Sequence, residues 1–176
     1  GSSPVNALPW WDIHAEAFQH IGAKIQKSGM RVSFHPGQYT VLNSPDEDVV
    51  ARAILDLAYH AKMLECLGVD NQHKIVLHVG GIYGDKKEAL ERFELNFRRL
   101  PEAVRNRLII ENDDRLYNIE EVLELAHRLQ IPAVYDNLHH AINPPASGGA
   151  DPYWIAEAKK TWKTTDGNQK IHYSHQ

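Results

Sequence analysis

The chain is poor in sulfur. Its 176 residues include one cysteine, Cys66, and two methionines. A single thiol closes no disulfide within the chain and builds no thiolate metal cage, and the expected compartment is a reducing cytoplasm. Long apolar runs are missing as well. No stretch approaches the roughly 20 residues that cross a bilayer, and no signal-peptide pattern is visible. An excess of positive charge is absent: 19 Lys and Arg against 23 Asp and Glu give a net charge of -4 with histidine neutral. That is not the basic balance of a nucleic-acid binder, although bound divalent cations would reverse the sign locally. There is no low-complexity tract and no sequence repeat. What remains is 43% hydrophobic and 24% charged, a composition able to bury the core of one domain.

The patterning alternates between helical and strand periods. A helical pattern covers Trp11 to Lys27 and stops at Ser28-Gly29; a strand follows from Arg31 to His35. Asp46-Glu47-Asp48 opens the next helix, with Ser44 or Asp46 as its cap, and Gly68 closes it. "KIVLHVGG" reads as the second strand, Lys86 to about Leu100 as a helix, and "RLIIENDD" as the third strand. Ile119 to Leu129 is helical behind an Asn118 cap, "PAVYDNLHH" is the fourth strand, Tyr153 to Trp162 a short helix and "QKIHYSH" the fifth strand. Helices alternating with strands predict an α/β chain built on a parallel sheet with right-handed crossovers.

The strands share a feature at their carboxyl ends. The first stops at His35, the second delivers His78, the third Glu111, the fourth Asp136 with His139 just beyond, and the fifth His172. One histidine at a strand end is more often a hydrogen-bonded structural residue than a ligand. Five strands delivering imidazole or carboxylate to one edge form a constellation, because that edge is where α/β sheets and barrels bind their ligands. Imidazole with carboxylate suits zinc, manganese or iron. A carboxylate such as Glu111 can bridge two ions, and paired ions activate water and clamp a phosphate oxygen. Phosphodiester hydrolysis is the reaction these residues predict; sugar isomerisation or epimerisation on a barrel is the competing reading, and a non-catalytic metal-binding fragment the third. Gln38 and Tyr39 lie in the loop after the first ligand, where an aromatic ring and an amide could wedge into a duplex and fill a displaced base's place.

The other seven of the eleven histidines divide differently. His14, His20, His60 and His127 fall within helical patterns and His73 in a loop, where packing or surface roles are expected; His140 neighbours His139 and only one of the two is expected to face the site; His175 is ambiguous. Glu88, Glu91 and Glu94 with Arg92, Arg98 and Arg99 read as a solvated helix face.

The stretches "SFHPGQYTVLNSP", "LHVGGIYGDK", "IIENDD", "VYDNLHHAINP" and "KIHYS" together resemble the ultraviolet-damage endonucleases, metal-dependent DNA repair enzymes with a TIM barrel fold. The resemblance runs from about Pro4 to Ser174. It implies incision of damaged double-stranded DNA 5′ to a pyrimidine dimer or abasic site, with two to three divalent ions, manganese or zinc, in a complete site. By matching motif, it implies that His35 and His78 hold one ion, that Glu111 bridges to a second completed by Asp136 and His172, and that His139 serves a third. It implies that Lys170 is a carboxylated lysine near the metals, and that Gln38 and Tyr39 probe the damaged pair. The chain departs from the family at Ser3, where a histidine is usual, and lacks a histidine and a glutamate that follow the fifth strand in the family. A full (β/α)₈ barrel has eight strands and about 250 residues, so residues 1–176 are expected to form a single partial TIM-barrel domain of about five units. Open sheet edges predict self-association or a complementing segment.

Overall fold

The structure, a computed structural model, describes residues 7–174; Ser3 and His175 lie outside them. Five strands pair in one sheet: β1 (Ser33–Phe34), β2 (Lys74–His78), β3 (Leu108–Glu111), β4 (Ala133–Asp136) and β5 (Ile171–His172). All neighbours are parallel, and the spatial order β1-β2-β3-β4-β5 equals the chain order. With right-handed connections, that order puts every crossover on the same side of the sheet, which is barrel winding and not a doubly wound sheet. The sheet curls into a half-barrel. Lys170 beside β5 reaches the Ser33 hydroxyl in β1 at the opposite edge.

The helices are α1 (Trp10–Ile13), α2 (Ala15–Ser28), α3 (Glu47–Cys66), α4 (Lys86–Arg99), α5 (Glu102–Arg105), α6 (Ile119–Leu129), α7 (Asn137–Ile142) and α8 (Asp151–Lys159). Asp46 caps α3 by accepting from the amides of Asp48 and Val49. Asn118 and Glu121 form a reciprocal capping box on α6. The expected helix from Trp11 to Lys27 is two helices broken at His14. The fourth strand ends at Asp136 and not at His140: the Asp136 carboxylate accepts the His139 amide and starts α7. This helix and α5 were not expected, so helices outnumber strands among the described residues.

Alternation along each strand sorts the core. On the convex face Ile75, Leu77, Leu108, Ile110, Ala133 and Tyr135 join Leu57, Leu64, Phe93 and Val122 in the main cluster. Fully burying such side chains contributes roughly 1.5–3 kcal/mol each. On the concave face Val76, Ile109 and Val134 pack with Trp162 in a smaller cluster. Two residues farther on, the same face carries His78, Glu111 and Asp136. Below, Lys74 is 2% exposed, ion-paired to Asp166 at 2.6 Å, and donates to the Asn106 carbonyl.

The α4 surface is less solvated than its charges suggest. Arg92 donates through Nε to the Asn43 carbonyl at 2.9 Å, Arg99 pairs with Glu47 of α3, and Glu94 holds Arg128 of α6 at 2.8 Å. Arg92, Glu94 and Arg99 thus reach neighbouring elements, while Glu88, Glu91 and Arg98 stay exposed as expected.

Candidate metal centre

Glu111 is the hub of the concave face. Its side chain is 1% exposed, and both carboxylate oxygens face imidazoles. Oε2 lies 2.9 Å from His35 Nε2 and 3.1 Å from His78 Nε2; Oε1 meets His172 Nδ1. Asp136 Oδ2 stands 3.9 Å from that same His172 nitrogen. Two groups of ligand atoms follow, each with members within 4.8 Å of one another: His35, His78 and Glu111, and Glu111, Asp136 and His172. Glu111 belongs to both.

The hydrogen bonds set the imidazole orientations. His35 Nδ1 is 3.2 Å from the Pro36 carbonyl, which only accepts, so Nδ1 carries the hydrogen. A neutral His35 ring therefore turns an Nε2 lone pair toward the Glu111 carboxylate. Two electron-rich atoms at that separation need a cation between them, a proton or a metal ion. Burial pushes the Glu111 carboxyl up, but the hydrogen bonds from His172, His35 and His78 overcome it and hold it well below the usual carboxylate range. The bond to Glu111 holds the His35 imidazolium in turn, raising its pKa against the opposing effect of burial. An ionised, buried carboxylate ringed by oriented imidazoles is a donor set that fits divalent cations.

His139 belongs to neither group but shows the same orientation. Its Nδ1 donates to the Asn112 carbonyl at 2.8 Å, leaving Nε2 as an acceptor, and its ring centroid is 5.4 Å from that of His78. His140 turns the other way, is buried, and binds the Gly149 carbonyl, so one of the pair faces the site.

Asn112 was missed in the sequence. It is fully buried, accepts the Asp136 amide at 2.9 Å and donates to the Asp136 carbonyl at 3.1 Å. It thus continues the β3–β4 pairing beyond the ladder and fixes both Asp136 and His139. An Asn directly after a buried strand was its only signal. Asp113 was missed too. Its carboxylate accepts the amides of Arg115, Leu116 and Tyr117, so the turn after β3 is fixed by one side chain.

Lys170 lies on the concave face two residues before His172. Burial pushes its ammonium pKa down, against the attraction of Glu111. Gln38 lines a cavity of about 540 Å³ together with His35 and His78, and Tyr39 stands 84% exposed beside it. The cavity rim is braced from behind. Asn43 Nδ2 and the Tyr117 hydroxyl both donate to the Gly81 carbonyl, at 2.6 and 3.0 Å. Gly80, at φ +108, is where a side chain would collide with Asn43 Oδ1. Burial pushes the Tyr117 phenol up to about 12.

The family model of UV-endonuclease UvdE matches residues 4–176. The chain belongs to that family. A "UV DNA damage endonuclease" of Clostridium perfringens (strain 13 / Type A) is 42% identical over 181 residues, covering 100% of this chain and 43% of that protein. The crystal structure of SacUVDE superposes with a TM-score of 0.93 at 39% identity, covering 99% of this chain and 58% of that one. The chain spans about half the length of the curated relatives it matches. A D-psicose 3-epimerase from Clostridium cellulolyticum H10 has a TM-score of 0.67 at 17% identity, over 99% of this chain and 61% of that one, a likeness of fold alone. The half-barrel is thus an incomplete TIM barrel. No helix among the described residues is long and apolar enough to cross a membrane.

Proposed function

We propose that this UvdE-family chain carries the metal-binding heart of a DNA repair endonuclease, one that hydrolyses the phosphodiester 5′ to an ultraviolet photoproduct or related lesion. The observation that carries this reading is Glu111 shared between two ligand groups. His35 and His78 would hold one divalent ion, manganese or zinc, Asp136 and His172 a second, Glu111 both, and His139 a third. Bound cations of this kind neutralise phosphate charge and activate water. The chain's residues do the rest. Burial of Glu111 keeps water from competing for its oxygens. The Pro36 and Asn112 carbonyls hold the His35 and His139 rings with their Nε2 lone pairs free. Lys170, accessible to the centre and depressed in pKa, is suited to lose its proton and be carboxylated, which would turn a cation into an anion beside the ions. Gln38 and Tyr39 would probe the damaged pair of a double-stranded substrate.

The rival reading, a sugar isomerase or epimerase, has support only from the shared fold. The endonuclease relatives carry the higher identity. Association through the edges of β1 and β5, unpaired among the described residues, would complete the sheet, and a reducing cytoplasm suits the free thiol of Cys66.

The test is a nicking assay on ultraviolet-irradiated and untreated supercoiled plasmid with manganese or zinc, beside a ketose isomerisation assay. Nicking confined to irradiated plasmid and lost in Glu111→Gln supports the proposal. Ketose turnover without nicking overturns it, and full nicking by Glu111→Gln removes Glu111 from its role.

A further inference from the structure

The loops at the carboxyl ends of the strands are almost without fixed positive charge. Between residues 35–46, 79–85, 112–118 and 137–150, and at 173–174, Arg115 is the one Lys or Arg among the described residues. A duplex carries about one negative charge per 1.7 Å of its axis. Ions in the centre would neutralise the phosphate being cut. They would leave its neighbours facing Asp114 and the carbonyl-rich loops.

Arg115 is placed to answer that. It lines the cavity that His35, His78 and Gln38 also line. Its side chain is 81% exposed, and its contact with Asp114, Nε to Oδ2 at 3.4 Å, joins two exposed groups and holds it weakly. Its backbone is held firmly. The Asp113 carboxylate accepts the Arg115 amide at 2.8 Å, Asp113 N donates to the Tyr117 carbonyl at 2.9 Å, and Asn143 Nδ2 donates to the Asp113 carbonyl at 3.1 Å. Asp113 is thereby committed to the turn and does not compete for the guanidinium. Lys86, at the start of α4, is already engaged by Glu121 at 2.7 Å and lies 5.2 Å from the Tyr117 ring centroid.

We infer that Arg115 is a phosphate clamp: its free, forked guanidinium grips a phosphodiester of the bound duplex beside the one at the metal centre. This rests on the endonuclease reading. A planar fork suits two phosphate oxygens at once, and a phosphate contact sets register without reading sequence.

The test is fluorescence anisotropy of a labelled duplex, with and without a lesion, against manganese-loaded protein across a salt series. Arg115→Ala should bind both duplexes roughly tenfold more weakly near 0.1 M salt, with the slope of log affinity against log salt reduced by about one. Arg115→Lys should keep most of the slope. Thermal unfolding should not change, because the side chain packs on nothing. Tyr39→Ala, by contrast, should lower the preference for the lesion and leave the slope alone. Wild-type protein that binds duplex while Arg115→Ala keeps its affinity and slope overturns the clamp and leaves the endonuclease reading standing. Wild-type protein that binds no duplex overturns both.

Discussion

His35 follows one edge strand and His172 ends the other, yet their rings stack with centroids 6.1 Å apart and planes inclined by 25°. A flat sheet would keep these edges four strand spacings apart, about 19 Å. Curling brings both rings onto Glu111, whose strand is the middle one. The candidate centre is therefore a product of sheet curvature, and its parts come together only when all five strands are paired.

That dependence predicts the effect of Asn112→Ala. The amide joins β3 to the end of β4 through both polar groups of Asp136, in full burial. Its loss leaves the buried Asp136 N–H without a partner and removes one bond from the Asp136 carbonyl, and should cost about 1–3 kcal/mol. Urea unfolding measures this. Bound metal should fall as well, because Asp136 loses its support, while the Asn112 carbonyl that holds His139 remains. A variant with wild-type midpoint and metal content would show that the ladder alone holds β4.

Tyr39 predicts the opposite pattern. At 84% exposure it has little packing to lose. Tyr39→Ala should unfold within about 0.5 kcal/mol of wild type. Binding to a lesion-bearing duplex should weaken toward that for undamaged DNA, as competition binding with the two duplexes would reveal. Unchanged preference would remove Tyr39 from damage recognition.

Tyr117 gives a pH prediction. Its phenol is raised from 10.0 to about 12 by burial, so the folded state holds that proton more tightly than the unfolded chain. The stabilisation is fully present below pH 10 and is lost as pH climbs from 10 through 12. Tyr117→Phe loses the hydrogen bond to Gly81, about 1 kcal/mol at neutral pH. It also loses the ionisable group. Its stability deficit relative to wild type should therefore narrow between pH 10 and 12 in denaturant titrations. A deficit constant across that range would contradict the burial of this phenol.

The strand ends, and the imidazoles and carboxylates gathered there, were legible in the sequence for one physical reason. An apolar run that stops abruptly at His35, His78, Glu111 or Asp136 marks where the strand turns from apolar packing to side chains of ligand type. The helix α7 was not legible, because "YDNLHH" prolongs an apparently extended run. The signal lay in Asp136 as a cap three residues before His139, a side chain serving helix and site together. Asn112 was hidden because its side chain works on backbone groups of the neighbouring strand, and such partners leave no periodicity; Asp113 works on amides two to four residues on, a local turn that reading "RLIIENDD" as strand covered over. Arg92 misled for a related reason: a charge at a helical surface position can reach a carbonyl of the adjoining loop, as it does at Asn43.

The central claim is that Glu111 joins two metal positions. Plasma mass spectrometry on protein purified without chelator or added metal, with Glu111→Gln and Asp136→Asn beside it and circular dichroism to confirm folding, tests it directly. The account predicts at least two equivalents in wild type, one for each ligand group, a loss of about one in Asp136→Asn, and near-complete loss in Glu111→Gln. Folded wild type with no bound metal, or a Glu111→Gln protein that keeps its full complement, would contradict it.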